Sequence, residues 1–568
     1  MKIHDQNLSQ AYYLYTTDKF DEAEALISQL ILTFEGEPDF LRLGALISIA
    51  RHDLPTAHKR LVKGLSHHPD NAPLYNTLGT LFEKSHQDLE AEKSFQKALS
   101  IDADLRDAQF NLAFHYMRTG QPIKALPLIK TLRKTTPEDK ALITAHVNAL
   151  VETEQHSSAI SVLNLATKSY DAHDLAGLKA RVYFQSGDFK KALLESKAAV
   201  TSNIYGETSL SLGAQIHLMR DQKDKALDYL AGYETHAREN AKIAAVQIKT
   251  YRLAGEFELA NTALEKALKS HDKNPVILVE KAEIEIAQNT PDKAYGTMIE
   301  ALKIKPGDLS LMAVMARAAM ASGNVEPCMI AAEHALKQVP HNQFWIAMLA
   351  TGGRFKGQNH KYYYDYANLL QAYDIYTPAG YSSIDDFNQA LKAELVKLHD
   401  FKKQPLDQSV RGGVQTRQSL LYVDNPVINA FFDAIKQPLD SYMSLVGQDP
   451  RHPLRRRNTG HCRVNSAWSV LLQAGGHHVN HIHPEGWISS SYYVDLPDEV
   501  QDEDKREGWI KFGEPPFKAP GLTAEKFIKP IKGRLVLFPS YMWHGTTTFS
   551  GTQTRLTLPF DVVPALPK

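Results

Sequence analysis

A small residue recurs every 34 positions along the N-terminal half of the chain, and this register limits the fold more than any other feature. It reads Ala23, Ala57, Ala91, Ala125, Ala159, Ala192, Ala226, Ala260 and Ala294, with a single step of 33 between Ala159 and Ala192, and the next step lands on Cys328. Apolar positions keep the same time. Leu78, Gly79, Phe82, Ala91, Phe95 and Ala98 return 34 residues later as Leu112, Ala113, Tyr116, Ala125, Ile129 and Leu132. Gly120, Gly187, Gly255 and Gly323 fall at one recurrent point, and Pro69, Pro137, Pro306 and Pro340 at another. Self-similarity at a fixed period marks an architecture whose units cannot bury their apolar faces alone and do so against their neighbours.

The pattern resembles the tetratricopeptide repeat, a two-helix unit with small residues where its helices touch. About ten repeats stay in phase. The resemblance implies an α-solenoid whose concave groove binds a peptide or a protein. The rival reading of the same array is a spacer or dimerisation scaffold. His146 and His217 stand at positions that are usually apolar or aromatic, and they are expected to mark degenerate repeats rather than a site.

The whole chain has 568 residues, too many for a single core, so at least two domains are expected. A net charge of −1 argues against a chain built mainly to hold nucleic acid. Two cysteines exclude a disulfide framework and suit a reducing cytoplasm. No apolar run reaches the roughly 18 residues of a membrane span, and the first residues form no apolar leader. A soluble cytoplasmic protein is expected, with oligomeric state left open.

Beyond Pro340 the register stops. Phe344, Trp345, Ile346 and Leu349 begin one more helix, expected to cap the array. Tyr362, Tyr363, Tyr364 and Tyr366 then form an aromatic cluster, expected to pack between the array and the next domain. The expected division is a repeat array over 1–340, a capping helix and linker over 341–375, and a second domain over 376–568. That domain should hold helices at 384–399 and 426–445. Short β runs come next at 462–464, 467–472, 489–494, 534–538 and 555–562, punctuated by Gly and Pro, which suggests a barrel or jelly roll.

The chemistry-bearing stretch lies among those strands. His477, His478, His481 and His483 fall within seven residues. His481 and His483 are two apart, so on an extended strand both rings leave one face and can reach one metal ion. His544 and Arg555 lie downstream. The order His481-x-His483, Ser491-Tyr492-Tyr493-Val494, Leu537-Phe538-Pro539-Ser540 up to His544, then Arg555 resembles the iron(II)/2-oxoglutarate-dependent dioxygenases. More narrowly, with Arg411-Gly412-Gly413 and Gly513-Glu514-Pro515, it resembles the bacterial members fused to tetratricopeptide repeats. The resemblance extends over essentially the whole chain and implies a double-stranded β-helix.

Its further implications are specific. Fe(II) would be held by His481, His483 and His544, and 2-oxoglutarate would chelate the metal with its tail carboxylate on Arg555. An Arg suits that task because its planar fork donates two parallel hydrogen bonds. Tyr492 or Tyr493 would add a hydroxyl to the co-substrate. The implied reaction is decarboxylation of 2-oxoglutarate to succinate with hydroxylation of a C–H bond, on a protein or peptide recruited by the array. The sequence departs from the family where a carboxylate ligand is usual, since His483 stands there. His481 with His483 is the favoured pair, and His483 with Glu485 the alternative. Trp487 and Trp543 are expected in the walls of the site, and Arg411 and Arg463 are candidates for substrate contact. The departure keeps two rivals open: an interaction scaffold with weakened chemistry, and an all-His dioxygenase independent of 2-oxoglutarate.

Overall fold

The structure is a computed structural model that describes residues 2–167, 169–202, 206–358, 360–519 and 521–567. The chain falls into two compact units, Met1–Ala166 and Thr167–Lys568. The division lies inside the expected array, not at its end.

The first unit is a stack of helix pairs, from Lys2–Thr16 with Phe20–Thr33 to Lys140–Glu152 with His156–Ala166. The second begins with the same motif, from Ala176–Gln185 and Phe189–Thr201 to Val325–Gln338, and the helix Gln343–Phe355 comes after them. The 34-residue register is a packing register. All nine periodic alanines, from Ala23 to Ala294, and Cys328 after them have 0% of their surface exposed. Gly79 shows why small residues are needed at the neighbouring positions: a Cβ there would lie 2.4 Å from the Phe95 ring.

Two further registers hold the pairs in shape. Asn71, Asp139, Asn240, Asn274, Asp308 and Asn342 each accept a hydrogen bond from the backbone at the start of the helix they precede. Each such cap stabilises its helix by about 1 kcal/mol. The turn inside each pair carries one left-handed residue, at Gly120, Gly187, Gly255 and Gly323 but also at Asp18, His52, His86, Glu154, Asp221 and Asn289. The glycines therefore mark a position that every turn of the series shares. His146 is buried against Arg133, whose guanidinium meets its Nδ1 at 2.7 Å, and burial lowers its pKa to about 4. It is a packed core residue.

The second unit ends in an antiparallel two-sheet domain. Its strands are β1 (Gln371–Asp374), β2 (Val410–Gln415), β3 (Cys462–Ala467), β4 (Val470–His478), β5 (Ile488–Asp495), β6 (Ile510–Phe512), β7 (Lys526–Ile528), β8 (Arg534–Pro539), β9 (His544–Thr546), β10 (Arg555–Leu558) and β11 (Phe560–Pro564). The large sheet runs β1-β8-β5-β10-β4-β2, with β11 pairing β5 and β3. The small sheet runs β7-β6-β9. This is the arrangement expected of a jelly roll. β1 lies inside the segment expected as a linker. The helix expected at 426–445 is two helices, Pro426–Ala434 and Lys436–Val446. Pro438 has no N–H to donate back to Ala434, so one continuous ladder cannot run through.

Within this unit the helical part grips the sheet domain at named points. Phe401 lies between Phe184 and Phe189, at 6.0 and 5.0 Å between ring centres. The N–H groups of Lys402 and Lys403 both donate to the Met219 carbonyl. Arg354, in the last long helix, donates to the carbonyls of Gly513 and Thr523. Trp543, 3% exposed, donates its indole N–H to the Thr351 hydroxyl at 2.9 Å. The aromatic cluster does what its position suggested: the Tyr541 hydroxyl donates to the Tyr363 carbonyl and the Trp543 amide to the Tyr364 hydroxyl. One consequence is measurable. Thr351→Val keeps shape but strands a buried indole N–H, and should cost about 1–3 kcal/mol in chemical denaturation of this unit. An unchanged midpoint would show that the indole finds another acceptor. Among the described residues no helix is long and apolar enough to cross a membrane.

Candidate metal centre

Three short backbone ties bring distant residues to one point. His481 and His544 form an isolated antiparallel bridge, in which each backbone N–H donates to the other's carbonyl at 2.8 and 3.0 Å. The His483 N–H donates to the Ser540 carbonyl at 3.1 Å. His483 therefore reaches the site from the start of a turn, closed by the Gly486 N–H on its carbonyl and anchored on the segment before β9. The segment 539–543 that leads into His544 is the one held by Tyr363, Tyr364 and Thr351.

The nitrogen atoms of His481, His483 and His544 available to a metal all lie within 4.8 Å of one another. Their partners fix their tautomers. His481 Nδ1 meets the Val479 carbonyl at 2.8 Å, and His544 Nδ1 meets the Met542 carbonyl at 2.9 Å. A carbonyl only accepts, so each Nδ1 carries the proton and each Nε2 presents a lone pair. His483 Nδ1 meets a carboxylate oxygen of Asp561 at 2.6 Å, which turns its Nε2 inward as well. The Nε2 atoms of His481 and His483 then face each other at 3.2 Å. Two lone pairs so placed repel unless a cation lies between them. Two donors at right angles on an octahedral ion, each about 2.1 Å away, stand about 3 Å apart. The donor set fits Fe(II).

Burial keeps the His481 and His544 rings neutral, the state a metal requires. It lowers the pKa of His481 to about 3, with His483 adding to the effect, and it drives His544 well below the usual range. Phe538 closes one side of His544, edge to face at 4.6 Å, and Trp468 lies 5.5 Å from His483. Trp487 is 1% exposed and donates its indole N–H to the Leu454 carbonyl.

Arg555 is 1% exposed on β10. Its Nε donates to the Gly508 carbonyl, and its guanidinium lies 5.3 Å from the centre of the Tyr493 ring. Among the described residues it forms no ion pair with a carboxylate. The Tyr493 hydroxyl is buried near Ser491 and Arg555 and makes no hydrogen bond of good geometry. A buried cation without a counter-charge, beside an idle phenol, is costly unless an anion joins them. Burial pulls Arg555 below its ordinary pKa, although a guanidinium still keeps its proton.

The structure separates the two candidate tyrosines. Tyr492 faces the other way and donates to Asn388 at 2.7 Å, so it is no part of this pocket. Glu485 is exposed on the turn after His483 and lies outside the three-histidine group. His478 stacks on His481 at 5.8 Å and feels the charge of Arg555. Arg411 is half-buried and donates to the carbonyls of Gln408 and Val410, and Arg463 bonds Asn465. Sequence reasoning missed Asp561. Its signal was a single acid inside the apolar run Leu558-Pro559-Phe560-Asp561-Val562-Val563.

With that geometry in hand, known proteins can be set beside the chain. It is 39% identical over 84 residues to the human Protein O-mannosyl-transferase TMTC3, 15% of this chain and 9% of that protein. It is 31% identical over 127 residues to the Drosophila melanogaster Tmtc3, 22% of this chain and 13% of that one. The chain thus spans about a tenth of the length of these curated relatives. Among solved structures, a tetratricopeptide repeat protein from Parabacteroides merdae matches at a TM-score of 0.31 and 10% identity, over 56% of this chain and 98% of that one. YrrB, described as a TPR protein with an unusual peptide-binding site, matches at a TM-score of 0.29 and 19% identity, over 31% of this chain and 91% of that one. The Naa15/Naa10 structure bound to HypK-THB matches at a TM-score of 0.28 and 14% identity, over 63% of this chain and 67% of that one. What the sheet domain itself resembles is the family described as "Putative 2OG-Fe(II) oxygenase", whose family model matches residues 466–561 and with them His481, His483, His544 and Arg555.

Proposed function

We propose that the chain is an Fe(II)- and 2-oxoglutarate-dependent hydroxylase acting on a protein or peptide that its helical repeats recruit. The observation that carries this reading is the Arg555 cation without a carboxylate partner beside the Tyr493 hydroxyl; its charge reaches His478, which stacks on His481 of the three histidines that turn nitrogens on one point. A site for a metal alone needs no buried cation nearby, because like charges repel. A site for a metal and a dianion does.

In this reading His481, His483 and His544 hold the iron, and the iron supplies oxygen activation when bound. Arg555 and Tyr493 receive the tail carboxylate of 2-oxoglutarate and set its orientation. Phe538 and Trp468 exclude water from the inner side. The repeats over 1–340 supply recognition and the domain over 376–568 supplies chemistry, in a cytoplasm that keeps Cys328 and Cys462 as free thiols.

The test is direct. Purified protein given Fe(II), oxygen and 2-oxoglutarate should release succinate, measured by chromatography, and a chelator should stop the release. Oxygen uptake that ignores the presence of 2-oxoglutarate would favour the all-His rival, for which His483 in the carboxylate position is the argument. Absence of both iron binding and succinate would leave the scaffold reading.

A further inference from the structure

The three histidines carry no negative charge, while a site of two histidines and one carboxylate carries one. That charge is present one bond further out. Asp561, 7% exposed on β11, places Oδ1 2.6 Å from His483 Nδ1. The same oxygen accepts from the Ser489 hydroxyl at 2.7 Å, and Ser489 meets the Ser540 hydroxyl at 2.8 Å. Strand pairing fixes this arrangement, since Asp561 stands opposite Ser489 of β5 and Ser466 of β3. The surroundings are closely built. A Cβ on Gly486 would lie 2.3 Å from the Ser540 hydroxyl and 3.4 Å from the Asp561 carboxyl carbon.

His481 and His544 have carbonyl partners at Nδ1, and His483 alone has a carboxylate. A carboxylate pulls harder on the Nδ1 proton than a carbonyl does, and so makes Nε2 a stronger donor to a cation. It also fixes the ring plane. We propose that Asp561 is the positioning residue for His483, and that it delivers through that ring the negative charge a ligand carboxylate would deliver directly. The histidine at position 483 then relocates the charge of the site without removing it. This inference rests on the reading of the three histidines as a metal site.

Anaerobic Fe(II) titration calorimetry on the full chain tests it. Asp561→Asn keeps an oxygen to accept from both His483 and Ser489 and removes only the charge, so the metal-free protein should melt near the wild-type temperature. Its Fe(II) affinity should fall by about 10- to 100-fold. His483→Asp puts the carboxylate on the metal itself, where a second acid at 561 is redundant and repulsive. Going from His483→Asp to the double variant His483→Asp/Asp561→Asn should therefore leave affinity unchanged or raise it. That second comparison stands by itself should Asp561→Asn alone not fold. Asp561→Asn binding within about twofold of wild type would overturn the proposal, as would a tenfold loss between the single and double variants. Wild-type protein that binds no Fe(II) would instead overturn the metal-site reading beneath it.

Discussion

Purified His544→Ala should lose Fe(II) binding by at least a hundredfold and release no succinate from 2-oxoglutarate. Residues that merely orient a metal ligand are worth about 10- to 100-fold in affinity, so loss of a ligand should match or exceed the upper end. His544 is well placed for so large an effect. It is 6% exposed, its Nδ1 is committed to the Met542 carbonyl, and its backbone bridges His481. The substitution leaves the bridge intact, because backbone atoms make it, so the other two histidines keep their places. The ring leaves a hole beside Phe538, and free imidazole added to the solution should enter it and restore part of the binding. Metal analysis after dialysis is the readout. Full Fe(II) content in His544→Ala would show that the three rings are a packed polar cluster and that iron, if bound, sits elsewhere.

The helical part was legible because its constraint is local and repeated. A wrong residue at one Ala position would crowd a helix pair, and the same constraint recurs at each of them, so the register shows through variation elsewhere. The left-handed turn residue was legible only where it is glycine. At His86 or Glu154 the backbone takes the same conformation with a side chain that gives no sign of it. β6, β7 and β9 are three residues each, too short for any period to declare itself. The three clustered histidines were visible as types and, for two of them, as spacing. The choice between Tyr492 and Tyr493 was not, because alternation says that one faces inward and only the partner layers say which. Asp561 was invisible for a different reason: it lies 78 residues from the ring it orients, and that contact exists only once β11 is paired with β5. What sequence spacing conveys is first contacts along one segment, while the residues that tune them come from strands closed late in the chain.

Arg555→Met should act in opposite directions on the protein alone and on the protein with co-substrate. Without 2-oxoglutarate the native guanidinium is a buried charge whose described partners, a carbonyl and the ring and hydroxyl of Tyr493, include no carboxylate. Replacing it with an apolar chain of similar length removes that burden, and the variant without 2-oxoglutarate should be more stable than wild type by about 1–3 kcal/mol. With 2-oxoglutarate the balance reverses. The variant loses a hydrogen-bonded ion pair formed in a dry pocket, which is worth about 2–5 kcal/mol, or about 30- to 5,000-fold in affinity. Thermal melts with and without 2-oxoglutarate, in the presence of a redox-inert divalent metal, read both effects at once. Wild type should gain stability as the ligand concentration rises, and Arg555→Met should start higher and gain nothing. A variant that starts lower than wild type and still responds to 2-oxoglutarate would make Arg555 a structural residue. The pair of opposed shifts is what distinguishes a charge stored for a ligand from one that holds the fold, because a structural ion would lower stability in both conditions when removed.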